Sequence, residues 1–434
     1  MQKMTADPTT WGLRNAHDPT VVRDDDGTWY MFSTDAASTG PGFPSGVHVR
    51  TSPDLVEWSF LGTALDGVPG PAAEWSGAEG LWAPDVVRWP CADGALWHMY
   101  YSASTFGSRT SAIGLATATS LGGPWTDQGI VVATQHDSDD HNAIDAAIVF
   151  DRDGTPWMAY GSFFGGIYIA ELSRETGLRV GPGPGTLIAK RPRSVDGAVE
   201  GAYIVYRAEE DRFVLFASYD SLADTYSVRV AAADHVTGPY LDHEGRSIAV
   251  VGTRAEAEAA GTKILGGHRL PGAAALIAPG HNSVFEHAGS SFMVHHVRLA
   301  DDPRQHEAQI RRIHWTASGW PLVSPYVYAG AESEALAAPE SVAGSWSALR
   351  FSPEDAGVRD VEAVHVDSDM RSDGTPVCAT LRVSTATGSN ILDGVVFGSW
   401  DPATAGPVLA FSGIDESGVV WWGTRVPQGG AFAR

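Results

Sequence analysis

Apolar and polar positions alternate in short bursts along this chain, and the same burst is written five times. In HNAIDAAIVFDRDG (141–154) a polar residue, Asp145, opens an apolar run from Ala146 to Phe150. A charged turn follows, and TPWMAYGS begins a second run. The other copies are DPTVVRDDDGTWYMFS from Asp18, APDVVRWPCADGALWHMYYS around Asp85, EGAYIVYRAEEDRFVLFAS from Glu200 and HNSVFEHAGSSFMVHH from His281. Each reads as polar head, strand, turn, strand. A third run follows each copy: GVHVRTS, IGLATATS, IYIAELS, YSVRVAAA and QIRRIHW. Alternation with a period of two marks a half-buried strand, and the Gly/Asp-rich turns between runs fit hairpins. Strand units recurring every 40–50 residues or more mark propeller blades, and five blades lie within the usual range of about 4–8.

The repeat has a geometric consequence. Innermost strands of a propeller run around a central channel, so the residues that open them form a ring at one mouth. That ring is expected to hold Asp18, Asp85, Asp145, Glu200 and His281. A single strand-opening Asp could merely cap a turn. Four carboxylates and a histidine gathered at one place are costly, because like charges repel and burial penalises them. Such a gathering points to function.

The segments between and after the blades fill in the organisation. SPDLVEWSFLG, SLGGPWTDQG and VTGPYLDHEG echo one another at blade edges. The Gly/Pro-rich loop from Ala37 to Gly46 is expected near the mouth. Ala and Glu favour helix, so RAEAEAAG, inside the insertion 247–279, predicts a short one. YAGAESEALAAPESVAG (328–344) reads as a linker. Beyond it, SALRFS, VRDVEAVHVDSD, PVCATLRVS, LDGVVFGSWD, GPVLAFSGID and GVVWWGTRV predict six or so strands. The expected fold is all-β: a five-bladed β-propeller (1–329), a linker (330–344) and a small β-barrel or sandwich domain (345–434). The last of these carries no catalytic constellation. Packing against the propeller is its expected role, with sugar binding through Trp421 or Trp422 as the alternative.

Composition narrows the partner. The formal net charge of −23 disfavours nucleic acid, an anionic membrane surface and a strongly acidic polysaccharide. A neutral plant polysaccharide or its oligosaccharides is the expected partner, met by a monomer with no nucleic acid and no membrane involved. The 15 tryptophans suit both sugar stacking and propeller cores. Two cysteines, Cys91 and Cys378, are too few for a disulfide framework or a thiolate metal site. No apolar run of about 18 residues exists to span a membrane. The amino terminus lacks the apolar core of a signal peptide, so the protein is expected in the cytoplasm, or secreted if a signal has been removed. QHDSDDHN (135–142) matches no standard metal-ligand spacing and reads as a solvated loop.

Several residues flank the expected mouth. Trp82 stands beside the second head in GLWAPDV, and Phe106 follows an inner strand in YYSASTFGS. Phe164 sits in GSFFGGIY, whose glycines would let backbone approach a ligand closely, or simply make a hairpin turn. His281 could be a core histidine, or a neutral imidazole holding a cation at the channel axis.

AHDPTVV, WAPDVV, NAIDAAIVF, GSFFGGIY, VEGAYIVY and PGHNSV, in that order, resemble the motif series of glycoside hydrolase family 43, and within it the endo-α-1,5-L-arabinanases. The resemblance covers about residues 11–325. The chain departs from it at NAIDAA, where many relatives read NAIDP, and at GSFFGG in place of SFWGG. The resemblance implies a five-bladed propeller that hydrolyses α-1,5-linked L-arabinofuranose chains with inversion. It implies Asp18 as general base, Glu200 as general acid and Asp145 as the residue that tunes and holds the acid. It also implies a central cation, usually calcium, held at His281 directly or through water. The substrate-binding set expected around these is His17, Trp82, Asp85, Phe106, Asn142, Ser162 and Phe164. The carboxy-terminal segment resembles the β domain attached to some arabinanases.

The chemistry stands apart from the family. Inverting hydrolysis needs a carboxylic acid on the leaving oxygen and a carboxylate, roughly 6.5–9.5 Å away, to activate water on the opposite face. A neighbouring carboxylate helps the acid keep its proton. Carboxylates on different blades supply such separations. An exo-acting α-L-arabinofuranosidase or β-xylosidase on the same scaffold is the alternative within enzymes. A non-catalytic sugar-binding propeller is the alternative outside them.

Overall fold

A computed structural model describes residues 7–35, 44–91, 94–330, 336 and 339–426. Five antiparallel sheets follow one another in sequence order, as the repeat predicts. Blade 1 is Thr20–Arg23, Trp29–Ser33, His48–Ser52 and Ser59–Thr63; blade 2 is Trp82–Cys91, Gly94–Ala103, Ser111–Ala118 and Thr126–Thr134. Blade 3 is Ala147–Phe150, Pro156–Tyr160, Ile167–Glu171 and Thr186–Ala189; blade 4 is Val199–Arg207, Arg212–Tyr219, Ser227–Ala233 and Thr262–Leu265. Blade 5 is Leu276–His287, Ser290–Leu299, Asp302–Trp315 and Pro321–Val323. The residues before blade 1 close the ring. The Asn15 N–H donates to the His306 carbonyl at 2.9 Å, and the Ala308 N–H donates to the Leu13 carbonyl at 3.0 Å.

Side chains that alternate off each strand meet those of the next blade, so a separate apolar core forms between each pair of neighbours. Phe32 and Val49 of blade 1 meet Val86 and Met99 of blade 2. Ile113 and Leu115 of blade 2 meet Ile148 and Met158 of blade 3. Ile167 and Ile169 meet Phe213 and Leu215 of blade 4. Val214 and Phe216 meet Val284 and Met293 of blade 5, and Phe292 and Val294 meet Val21 and Met31 of blade 1. Each large apolar side chain buried in this way contributes about 1.5–3 kcal/mol. These cores hold the inner strands rigidly, and thereby whatever stands at their ends.

The expected helix forms at Arg254–Ala259, with a capping box between Thr253 and Glu256. The carboxy-terminal strands Gly344–Phe351, Glu362–Asp367, Val377–Ser384, Ser389–Asp401, Gly406–Asp415 and Val420–Arg425 close into a barrel. It is not tethered loosely. Arg359–Asp360 pairs in parallel with His268–Arg269 and so extends the blade 5 sheet. Phe351, Phe397 and Trp422 enter the core shared by blades 4 and 5.

Two expectations change here. Leu336 and Val342, placed in the linker, belong to the barrel core. Trp421 and Trp422 are fully buried, so they pack and do not offer a face to sugar. Much of the loop Ala37–Gly46 lies outside the described residues. Among the described residues, no helix is long and apolar enough to cross a membrane.

Candidate active site

Just before or within each inner strand stands a residue with left-handed backbone. These residues are Asp18 (φ 51°), Ala83 (φ 26°), Asp145 (φ 61°), Gly201 (φ 56°) and His281 (φ 47°). Four of the five are not glycine. A non-glycine residue persists in this conformation only where the surroundings impose it. Here the imposition is visible. The Ala83 N–H donates to Thr34 Oγ1 at 2.9 Å, the Asp145 N–H to Ser102 Oγ at 3.0 Å and the His281 N–H to Ser218 Oγ at 2.7 Å. Each acceptor lies at the end of the preceding blade's second strand. The Asp18 N–H closes the circle onto His296 Nδ1 of blade 5 at 3.3 Å.

This register corrects the expected ring. The blade 2 equivalent of Asp18 is Ala83, not Asp85. Asp85 stands two residues further along its strand, buried, and accepts from the Ile148 N–H at 2.7 Å and from Thr20 Oγ1 at 3.2 Å. It ties three blades together below the mouth, so its carboxylate is structural rather than substrate-binding. Burial pushes its carboxyl up to about 6, against the pull of those hydrogen bonds.

Asp18, Asp145, Glu200 and His281 do converge. Asp18 Oδ1 is 2.8 Å from His17 Nδ1 and 3.1 Å from His281 Nδ1, and Oδ2 accepts from Thr34 Oγ1 at 2.5 Å. Burial alone would raise this carboxyl, but His17 and His281 outweigh it and hold Asp18 well below the usual carboxylate range. Asp145 is the opposite case. Burial pushes it up to about 7, helped by Glu200 and Asp18 and opposed by His281 and by the Gly201 N–H 3.3 Å from Oδ2. For His281, burial works against the charged ring, but Asp18, Asp145 and Glu200 raise it to about 10. Glycine at 201 leaves room for the His281 ring, which a Cβ there would crowd at 3.0 Å. Glu200 accepts from Ser162 Oγ at 2.6 Å and from the Tyr226 hydroxyl at 2.9 Å. Tyr226 stacks on His296, and His296 on His17, which links the acid side of the site to Asp18.

The remaining expected residues divide. His17 touches Asp18, and Ser162 holds Glu200. Asn142 is buried, and its carbonyl oxygen accepts from Ser111 Oγ at 2.7 Å. Phe106 is 89% exposed, Phe164 is 38% exposed and Trp82 is half-buried. These three are available for stacking, and the Arg109 guanidinium lies 4.9 Å from the centroid of the Phe164 ring. The glycines around Phe164 serve the protein's own packing rather than a ligand, since a Cβ on Gly165 would lie 2.6 Å from the Asp140 carbonyl oxygen.

Reading the heads alone missed Thr34, Ser102, Ser218, His296 and Tyr226. The signal for the first four was a polar residue closing each aromatic strand. Among the described residues, one grouping of potential ligands is His17, Asp18 and His296. The two rings lie face to face at 3.6 Å and 17°, so their in-plane lone pairs do not meet at a common point.

The arrangement sets an ionised carboxylate, Asp18, against a carboxyl that burial pushes up to about 7, Asp145, with Glu200 beside the latter. An extracellular endo-α-(1→5)-L-arabinanase 2 of Bacillus subtilis is 28% identical over 95% of this chain and 93% of its own length. An extracellular exo-α-(1→5)-L-arabinofuranosidase of Cellvibrio japonicus is 33% identical over 71% of this chain and 86% of its own. The crystal structure of an endo-1,5-α-L-arabinanase from Thermotoga petrophila RKU-1 superposes with a TM-score of 0.80 at 27% identity, covering 97% of this chain and all of that one (100%). The sequence profile of the glycosyl hydrolases family 43 matches residues 13–321, which takes in all five blades, and the chain belongs to that family.

Proposed function

We propose that this protein is an inverting endo-α-1,5-L-arabinanase acting within arabinan or its oligosaccharides. The observation that carries the mechanism is the split between its carboxyl groups. Asp18 is held ionised by His17 and His281, while Asp145, beside Glu200, keeps a proton up to about pH 7. An ionised Asp18 takes a proton from water as that water attacks the anomeric carbon. Glu200, gripped by Ser162 and Tyr226, gives its proton to the departing sugar oxygen. Asp145 sits between them and places Glu200 through the Gly201 N–H. The cluster's negative charge favours the oxocarbenium-like transition state. Phe106, Phe164 and Trp82 offer ring faces to furanose units along the rim.

Relatives matched over most of their length and named for endo action support this reading. Their names also place them outside the cell, which supports export of this chain over the cytoplasmic expectation. The site is assembled from the blades of a single chain, which supports action as a monomer. The net charge of −23 favours a neutral substrate.

The donor set around His281 fits a largely hydrated hard cation such as calcium. Three carboxylates surround one imidazole, whose Nδ1 is engaged by Asp18; a cation liganded at Nε2 would take the place of the proton that those carboxylates keep on the ring up to about pH 10. When bound, the cation would add positive charge beside Asp18 and Asp145.

Digestion of debranched arabinan, followed early by chromatography, tests the activity. A ladder of oligomers is the expected result. Arabinose alone would instead support the exo reading suggested by the Cellvibrio relative. No product from arabinan or xylan would support a sugar-binding propeller without catalysis.

A further inference from the structure

Two buried arginines lie behind the acid, and neither belongs to the chemistry described above. Arg191 and Arg229 have side chains only 1% and 2% exposed, and both reach one carboxylate, Asp220. Arg191 Nη1 donates to Asp220 Oδ1 at 2.6 Å and to the Ala198 carbonyl at 3.0 Å. The Asp220 N–H also donates to the Ala198 carbonyl, at 3.2 Å, with Asp220 in left-handed backbone (φ 73°). Ala198 is two residues before Glu200. Both guanidinium groups also pack on the ring of Tyr219, whose strand position faces Val199. The entry into the strand that carries the acid is therefore clamped from behind.

The clamp does not end within the propeller. Arg229 Nη2 lies 3.4 Å from Asp220 Oδ2 and donates to the Pro353 carbonyl at 2.8 Å. Pro353 lies in the loop after the barrel strand Gly344–Phe351. Arg229 Nη1 holds the Glu258 and Ala260 carbonyls of the insertion at 2.7 and 2.8 Å. Lys263, also buried, donates to the Asp355 carbonyl in the same loop.

Joining two domains does not require this chemistry. Apolar contacts do it without desolvating two cations for one carboxylate, as the shared core of blades 4 and 5 with the barrel already shows. What a rigid guanidinium fork adds is fixed direction. We propose that Arg229, through Asp220 and Arg191, is a positioning residue by which the barrel's loop at Pro353 sets the placement of Glu200. The carboxy-terminal domain thereby takes part in acid catalysis without contributing a group to the site. This inference rests on Glu200 being the acid.

The test compares two substrates that differ in their need for the acid. Cleavage of debranched arabinan releases a sugar oxygen that needs a proton as its bond to the anomeric carbon breaks. Cleavage of the aryl bond of a 2,4-dinitrophenyl α-1,5-L-arabinotrioside releases a phenolate that does not. Arg229→Met removes the fork at similar length. Asp220→Asn, at a side chain 26% exposed, is the milder variant that keeps the fold if the first does not. Both are expected to lose about tenfold or more in kcat on arabinan, with KM within about twofold and little change on the aryl substrate. Pro353→Gly loosens the loop but keeps the carbonyl, and should show the same pattern more weakly. Equal losses on both substrates, or unchanged kcat on arabinan, would overturn the proposal. Wild-type kinetics for Pro353→Gly alone would overturn the barrel's part in it. Glu200→Gln run in parallel separates the two claims. If it shows no such selectivity, the acid assignment fails. If it does and the clamp variants do not, the clamp fails.

Discussion

His281 Nδ1 lies 3.1 Å from Asp18 Oδ1, so the fifth blade meets the first at the proposed general base. The two residues share the same left-handed backbone, and each N–H donates to a side chain of a neighbouring blade. The five-fold architecture thus brings together Asp18 from blade 1, Asp145 from blade 3, Glu200 from blade 4 and His281 from blade 5, the groups to which the proposed mechanism assigns its roles. The relative positions of these groups are set by the inter-blade cores, not by loops.

The acid and the base should respond differently to the leaving group. Positioned proton transfer contributes about 10²–10⁴-fold. Glu200→Ala should lose about that much on arabinan and recover most of it on an aryl arabinoside with an acidic phenol. Asp18→Ala should fail on both, because water must still be activated. Rescue of Asp18→Ala and not of Glu200→Ala, in steady-state rates on the two substrates, would reverse the assignment.

Rim aromatics should separate from core aromatics. Phe106 is 89% exposed, so Phe106→Ala should leave the melting temperature within a degree or two. Its effect should fall on kcat/KM for arabinan. Loss of a buried aromatic costs about 3–5 kcal/mol instead. A large fall in melting temperature with an unchanged Michaelis constant would remove Phe106 from the substrate path.

Acid should weaken the join between propeller and barrel. His268 packs on Trp422, and His314 stacks on Phe397 at 3.8 Å. Burial first, then Arg311 for one and Arg312 for the other, push both rings down to about 3. An unfolded histidine titrates near 6.5. These rings therefore contribute their full stability above about pH 6.5, and that contribution is lost as pH falls toward 3. Melting temperature should drop over that window, and His314→Phe should flatten the drop. An unchanged acid limb in that variant would exclude His314 as a source.

How much of this was legible from the chain can be argued from single residues. The blades were legible because alternation with a period of two is imposed by burial on one face, whatever the long-range order. Asp18, Asp145 and His281 were legible because each is the polar residue at a strand opening. Asp85 was misplaced because WAPDVV looks like AHDPTVV shifted by two, and the residue that makes the turn is Ala83. Glu200 lies one place ahead of its turn residue, Gly201, and was found by its charge. Thr34, Ser102, Ser218 and His296 show in the chain only as a polar residue closing each aromatic strand, and nothing local tells that they act across blades; Tyr226 has no local signal at all. Leu336 and Val342 were hidden in a polar stretch whose few apolar residues are the ones that pack.

Removal of metal tests the cation. Exhaustive chelation should lower activity or melting temperature, and calcium should restore it, with His281→Ala insensitive to both. Unchanged activity and stability, with no metal found by elemental analysis, would exclude a cation at the centre.

The central claim is that water and acid work from opposite faces, Asp18 on one side and Glu200 on the other. Proton NMR of the reducing end formed in the first moments of arabinan cleavage, before mutarotation, reads this directly. The arrangement predicts that an α-linkage yields the β-anomer first. An α-anomer formed first would mean retention through a covalent intermediate, and would contradict the roles given to Asp18 and Glu200.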